Sequence, residues 1–425
     1  MNHCRPPLED EDLLQEILLR LPPQPSPFPR ASLVCKRWGS ILSEPRFLRR
    51  FRKHHRKPLL LGFFDKERGQ DIVFTPMLDP PNRIPAVQFT PPKNLLSSKP
   101  VDHCFIGCRH GIALFLDLMR REAVLWYPLT SVQCRVAFPP RFGFGKDECI
   151  RNAVVWCPDD DEKRVHGDCH LSPFKLVLAC QDATAVKASV FMYESKSGVW
   201  GDVISTTPTS WISAYRPSIL VGNALFWLLH GGGDILEFDF ERLTLAVIEK
   251  PADAIVTESR ANLIFQILRG EDNGLGLAIL SRSKLSIQLW ARKSNSDGVV
   301  SWELKKTVQL DELFSRSTLD GKLVLMPGYD EDTNAIFLSS DSHDFILQLE
   351  SMQFKYIGGR KQGCVKKYFP YTHFYIAVWR YAAGDSLAGA TELRLLAACG
   401  LPSLGGAPVV GAVCGGRGSC GLPVQ

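Results

Sequence analysis

Leu14, Ile17, Leu18 and Leu21 recur at i, i+3, i+4 and i+7 near the start of the chain, the spacing of one face of a helix. Glu9, Asp10, Glu11 and Asp12 stand where its first turn should be, where the helix macrodipole favours negative charge. Pro22 and Pro23 end it. After a Pro-rich turn over 24–29, a second helix is expected over 30–42, with Leu33, Val34, Trp38, Ile41 and Leu42 apolar. Glu44 and Pro45 interrupt this run, and 46–52 reads as a further basic turn or helix carrying Phe47, Leu48 and Phe51.

Beyond Pro58 the texture changes. Short apolar runs separated by Gly, Pro, Asp and Asn read as strands: 59–64, 112–116, 175–179, 224–229, 277–280 and 335–338. Several are followed by a second strand rich in aromatics, at 123–127, 189–193, 235–240, 285–290 and 345–349. The unit is a strand, a polar turn, a second strand near an aromatic, and a shorter strand. It recurs at roughly 50 to 60 residues, nearer a kelch-like propeller blade than a WD-type one. About five or six such units fit a propeller, with a β-sandwich of unrelated strands as the alternative. The predicted class is therefore α + β multidomain: a small helical module, an all-β propeller over 59–381, and a tail. That tail, 382–425, is rich in Gly, Ala, Leu and Cys, with Arg394 and Arg417 its only basic residues. It reads as low-complexity, and is expected to be disordered or an aberrant end from an alternative exon.

A chain of 425 residues with 45% hydrophobic residues has room for more than one domain. The net charge of +5 does not by itself indicate a nucleic-acid protein. Charge is concentrated locally: 30–57 carries ten Lys or Arg against one acid, Glu44. The run 49–57 could serve nuclear import or nucleic-acid contact, but a short basic run is better explained as a solvated linker, with Phe47, Leu48 and Phe51 packing inward; the linker is placed at 52–58. No secretory signal, apolar spanning run or Asn-x-Ser/Thr acceptor is seen, so a cytoplasmic and/or nuclear location is expected. The thirteen cysteines are then expected to be reduced and mostly buried.

Cys104, Cys108 and His110, and separately Cys157, His166, Cys169 and His170, invite a zinc reading but lack paired Cys-x-x-Cys knuckles. Gly231-Gly-Gly233 lacks the Lys and the helix that a phosphate loop needs, and reads as a hairpin turn. No nucleophile elbow, metalloprotease helix or kinase loop set appears. No metal, cofactor or catalytic residue is expected.

Leu8-Glu-Asp-Glu-Asp-Leu-Leu-Gln-Glu-Ile-Leu-Leu-Arg-Leu-Pro22, Leu33-Val-Cys-Lys-Arg-Trp38 and Leu42-Ser-Glu-Pro-Arg-Phe-Leu48 resemble the F-box family, over 8–51. One departure is Glu9, where F-boxes commonly carry the proline of an opening Leu-Pro. Trp126-Tyr-Pro128 and Lys366-Lys-Tyr-Phe-Pro-Tyr-Thr-His-Phe-Tyr375 extend the likeness to the plant F-box proteins with a propeller-like associated domain, a set expanded in grasses. The resemblance implies a non-catalytic substrate adaptor that docks on a Skp-type protein, and through it a cullin, while propeller loops hold a target. It places the adaptor contact on Leu8, Leu14, Ile17, Leu18, Pro22, Leu33, Val34, Cys35, Trp38 and Leu42. A module this short is not expected to bury all of these within itself. It also implies that a late strand, within 368–379, closes the ring against the first blade. Neither a membrane nor nucleic acid is expected as a partner.

Overall fold

The computed structural model describes residues 10–374, apart from 67–71, 93–94, 96–102, 141, 143–147, 158–172, 183–186, 215, 232, 253–263, 271–272, 295–298, 311–323, 341–342 and 360–366. Leu8, Glu9 and the tail 382–425 therefore lie outside the described residues.

Four helices come first: α1 (Glu11–Leu19), α2 (Pro27–Ser32), α3 (Lys36–Ser43) and α4 (Pro45–His55). Asp10 caps α1, its side chain accepting from the backbone N–H groups of Asp12 and Leu13 at 3.0 and 3.1 Å. The first turn is thus fixed without a proline at position 9. Pro27 and Pro45 open α2 and α4, where a missing N–H costs nothing. The single helix expected over 30–42 is in fact two. The Ser32 hydroxyl donates to the Pro29 carbonyl at 2.7 Å and Cys35 is fully extended, so the chain bends at Leu33 and Val34.

The expected linker at 52–58 is also corrected. α4 continues through His55, because Phe47, Leu48, Phe51 and Arg52 all turn inward. These side chains complete a core with Leu14, Leu18, Leu19, Phe28, Ala31, Ile41 and Leu42. Phe28 meets Phe51 edge-on at 4.5 Å. Arg50 reaches back to Gln15 and Glu16, each at 2.7 Å, and joins α4 to α1.

The rest is β. The first blade receives β1 (Leu59–Lys66) and β2 (Val73–Pro76). The second has β3 (His103–Arg109), β4 (Ile112–Asp117), β5 (Glu122–Tyr127) and β6 (Val132–Ala137). The third has β7 (Glu148–Trp156), β8 (Lys175–Asp182), β9 (Ala188–Glu194), β10 (Val199–Trp200) and β11 (Ile204–Thr206). The fourth has β12 (Ile219–Val221), β13 (Ala224–Leu228), β14 (Ile235–Asp239) and β15 (Thr244–Ile248). The fifth has β16 (Phe265–Arg269), β17 (Leu275–Ser281), β18 (Ser286–Ser294) and β19 (Val300–Gln309). The sixth has β20 (Leu325–Asp330), β21 (Ala335–Ser339), β22 (His343–Gln348) and β23 (Phe354–Gly359). β24 (Lys367–His373) returns to pair antiparallel with β1. Six separate antiparallel sheets joined this way form a six-bladed propeller, not the alternative sandwich.

Each of the six apolar runs seen in the sequence is the second strand outward in a different blade. Strands such as β4 are buried on both faces, so they read as unbroken apolar runs instead of alternating. The closing strand is inserted between neighbours. Tyr368 stacks on Phe337 of the sixth blade at 5.2 Å and bonds Asp344 at 2.5 Å, while Phe369 meets Phe105 of the second blade at 4.8 Å. β20 passes so close to it that a Cβ at Gly328 would lie 2.7 Å from the Tyr368 carbonyl oxygen. Closure of this kind removes the sheet edges that invite misassociation.

Candidate functional site

The helical module divides its apolar residues between a core and a surface. Of the residues assigned to adaptor contact, Leu14, Leu18 and Leu42 are buried in the module's own core. They hold the helices together and are unavailable to a partner, which corrects their assignment as contacts. The module is self-sufficient to this degree because α4 contributes Phe47, Leu48 and Phe51. Trp38 is half-buried against that core. Ile17, Leu33 and Val34 are 41%, 59% and 61% exposed, and Pro22 and Cys35 are exposed as well. Leu8 lies outside the described residues.

Leu13, 51% exposed, was missed by the sequence reading. It sits one residue off the buried Leu14 and Leu18 stripe and pairs with Ile17 at i, i+4; a search for a second apolar stripe on the same helix would have found it. Large apolar side chains are thus left in water on α1 and at the bend between α2 and α3. The bend between α2 and α3 presents Leu33 and Val34: Leu33 is the C-cap of one helix and Cys35 the N-cap of the next.

The module is fastened to the propeller. The Asn82 side-chain oxygen accepts from the Ser26 N–H and hydroxyl, at 3.2 and 2.6 Å, and its amide donates to Gln24 at 3.3 Å. Lys57 pairs with Glu350 at 2.7 Å, in the turn before β23. The helices thus meet the rim of the first and sixth blades. Leu59 pairs with His373, so the module joins at the mouth where the innermost strands end.

At that mouth Arg109, at the end of β3, meets Glu331, just past β20, at 2.8 Å, and also donates to the Ser218 carbonyl at 3.0 Å. Glu331 accepts from the Leu220 N–H at 3.1 Å. Burial pushes the Glu331 carboxyl up, and the Arg109 charge opposes this. Burial, then the adjacent Asp332, push the Asp330 carboxyl up to about 8. Further along the channel, Asn152 donates to the Arg216 carbonyl at 2.8 Å and the Arg216 guanidinium donates to Gln266 at 2.9 Å; burial lowers Arg216 to about 9. At the other end Lys367, first in β24, donates to the Ala214 carbonyl at 3.1 Å. The channel is spanned by the protein's own polar side chains.

Cys104, Cys108 and His110 lie along β3 and its turn, and among the described residues no group of His, Cys, Asp and Glu is placed to hold a metal. His166, Cys169 and His170 lie outside them. Against the expectation of burial, Cys35, Cys104 and Cys149 are exposed. Each sits near an element's end: Cys35 caps α3, and Cys104 and Cys149 are second residues of β3 and β7. Gly231 and Gly233, both at positive φ, lie in the connection between β13 and β14, which pair as a hairpin. No helix among the described residues is long and apolar enough to cross a membrane.

Residues 10–50 match the F-box domain, and residues 106–379 match the family described as F-box protein AT5G49610-like, beta-propeller. The chain belongs to this family of F-box propeller proteins. It is 23% identical over 337 residues to the F-box/LRR-repeat/kelch-repeat protein At2g27520 of Arabidopsis thaliana, covering 78% of this chain and 84% of that one. Among solved structures it is similar to the WD40 domain of SCAP from fission yeast, at 13% identity and a TM-score of 0.33, over 62% of this chain and 53% of that chain. It is also similar to a structural genomics protein of unknown function from Bacteroides thetaiotaomicron VPI-5482, at 14% identity and a TM-score of 0.35, over 61% of this chain and 59% of that one. The chain thus spans less than two thirds of the length of these two solved proteins.

Proposed function

We propose that the chain is a substrate-recognition subunit of an SCF-type (Skp–cullin–F-box) ubiquitin ligase, acting in the cytoplasm and/or the nucleus. The observation that carries this reading is the exposed apolar pair Leu33 and Val34 at the bend between α2 and α3, with Leu13 and Ile17 likewise exposed on α1. These side chains dock on a Skp-type adaptor, which links the chain to a cullin. The propeller mouth away from the helices holds the target, whose specificity lies in loops on a rigid ring. The chain performs no bond chemistry itself. It raises the rate of ubiquitin transfer by holding the target near a charged enzyme.

Co-expression with a Skp-type adaptor and a cullin tests this. The three proteins are expected to elute together on size exclusion. Leu33→Asp with Val34→Asp is expected to release the chain while leaving its circular dichroism unchanged. Separate elution of the unmodified, folded chain would overturn the reading.

A further inference from the structure

The border of the exposed Leu33 and Val34 is charged in a way that folding does not explain. Arg30 precedes them and Lys36 follows, both exposed. Neither side chain forms an ion pair or hydrogen bond with any described residue. No Asp or Glu occurs between Arg20 and Glu44, so nothing in the local sequence neutralises them.

The position of Lys36 is the informative part. Lys36 and Arg37 occupy the first turn of α3, which holds no acid. The positive end of the helix dipole lies there, so cations weaken α3. α1 follows the opposite rule: Glu11 and Asp12 fill its first turn and stabilise it. The acids on α1 are therefore accounted for by the helix itself, whereas the cation at the start of α3 works against its own helix. A residue that costs local stability on an exposed face, beside apolar side chains also left in water, points outward.

We infer that the partner surface receiving Leu33 and Val34 is an apolar pocket edged with carboxylates, and that Arg30 and Lys36 steer it into place. This rests on the adaptor reading above and names the chemistry of that contact. Charges at the rim of an interface act mainly on the association rate and its salt dependence, and less on dissociation.

The test is stopped-flow association of the full chain with a Skp-type adaptor at 50 and 500 mM NaCl. Arg30→Glu with Lys36→Glu is expected to lower the association rate at least tenfold at 50 mM salt. The difference should shrink severalfold at 500 mM, with dissociation changed less than threefold. Lys284→Glu with Lys306→Glu, an equal charge change on the fifth blade, is expected to leave the rate within twofold. Lys36→Glu alone is expected to keep or raise the thermal midpoint, as the dipole argument requires, which separates slowed association from misfolding. An unmodified chain that binds the adaptor at a rate insensitive to Arg30→Glu with Lys36→Glu overturns this inference and leaves the adaptor reading standing. An unmodified chain that does not bind overturns both. Capture of a DNA or RNA duplex in place of the adaptor, lost in the same variant, would assign the cations to nucleic acid and contradict the inference.

Discussion

The guanidinium of Arg109 and the carboxylate of Glu331 meet at 2.8 Å although 222 residues separate them, and both side chains are largely withdrawn from water. Through Ser218 and Leu220 the same pair touches the fourth blade. One ion pair thus connects the second, fourth and sixth blades across the channel. Removing one partner leaves the other charge buried, which costs about 3–5 kcal/mol. Arg109→Ala or Glu331→Ala is expected to lower propeller stability by about that much in a denaturant titration, whereas Arg109→Met with Glu331→Leu should lose clearly less. A double loss equal to the sum of the two single losses would show that the pair is not coupled.

The split of the helical module into core and surface predicts two kinds of variant. Leu18→Ala removes buried methyl groups and is expected to cost about 3 kcal/mol, read from thermal or chemical unfolding. Ile17→Asp changes a side chain that is 41% exposed and is expected to cost clearly less than Leu18→Ala, about 1 kcal/mol or less, while weakening adaptor binding at least tenfold.

Asn82 bonds Ser26 twice and Gln24 once across the joint between helices and ring. Asn82→Ala removes these bonds, at about 1 kcal/mol each where buried and less at this partly exposed position. Hydrogen exchange in 24–26 is expected to accelerate severalfold, with adaptor affinity unchanged within twofold. Unchanged exchange would show that the joint is held elsewhere.

Burial and the neighbouring Asp332 push the Asp330 carboxyl up to about 8 from an ordinary 3.8. Its folded-state affinity for a proton exceeds the unfolded one, so folding takes up a proton between these values. The stability this group contributes is full below pH 4 and is lost as pH rises through about 8. Asp330→Asn keeps an acceptor for the Asp332 N–H and removes the titration. The fall in thermal midpoint between pH 5 and pH 8.5 is expected to be smaller in the variant, by about 2 °C or more. An identical fall would place the titration in other groups.

How much was legible follows from where each strand sits. The second strands, such as β4 and β8, are sandwiched between sheets and announce themselves as apolar runs. The innermost strands do not. β3, β7 and β20 are broken by register shifts at Phe105/Gly107, Ile150/Asn152 and Leu325/Gly328, and they carry polar side chains such as Arg109 and Asn152 toward the channel. Bulges and inward polar residues erase the period-two signal. The channel network was therefore invisible, since pairing Arg109 with Glu331 requires the closed ring. In the helical module the sequence identified the motif but not the division of labour within it. Leu14, Leu18 and Leu42 look the same as Leu33 and Val34 in a motif, and only packing against Phe47 and Phe51 separates core from surface.

Docking on a Skp-type adaptor is measured by calorimetric titration of the adaptor into the purified full chain. One-to-one binding of the unmodified chain is expected, lost in Leu33→Asp with Val34→Asp and retained in the charge-altered propeller variant Lys284→Glu with Lys306→Glu. Absence of heat and of complex with the unmodified, folded chain, or unchanged affinity when Leu33 and Val34 are replaced, would contradict it.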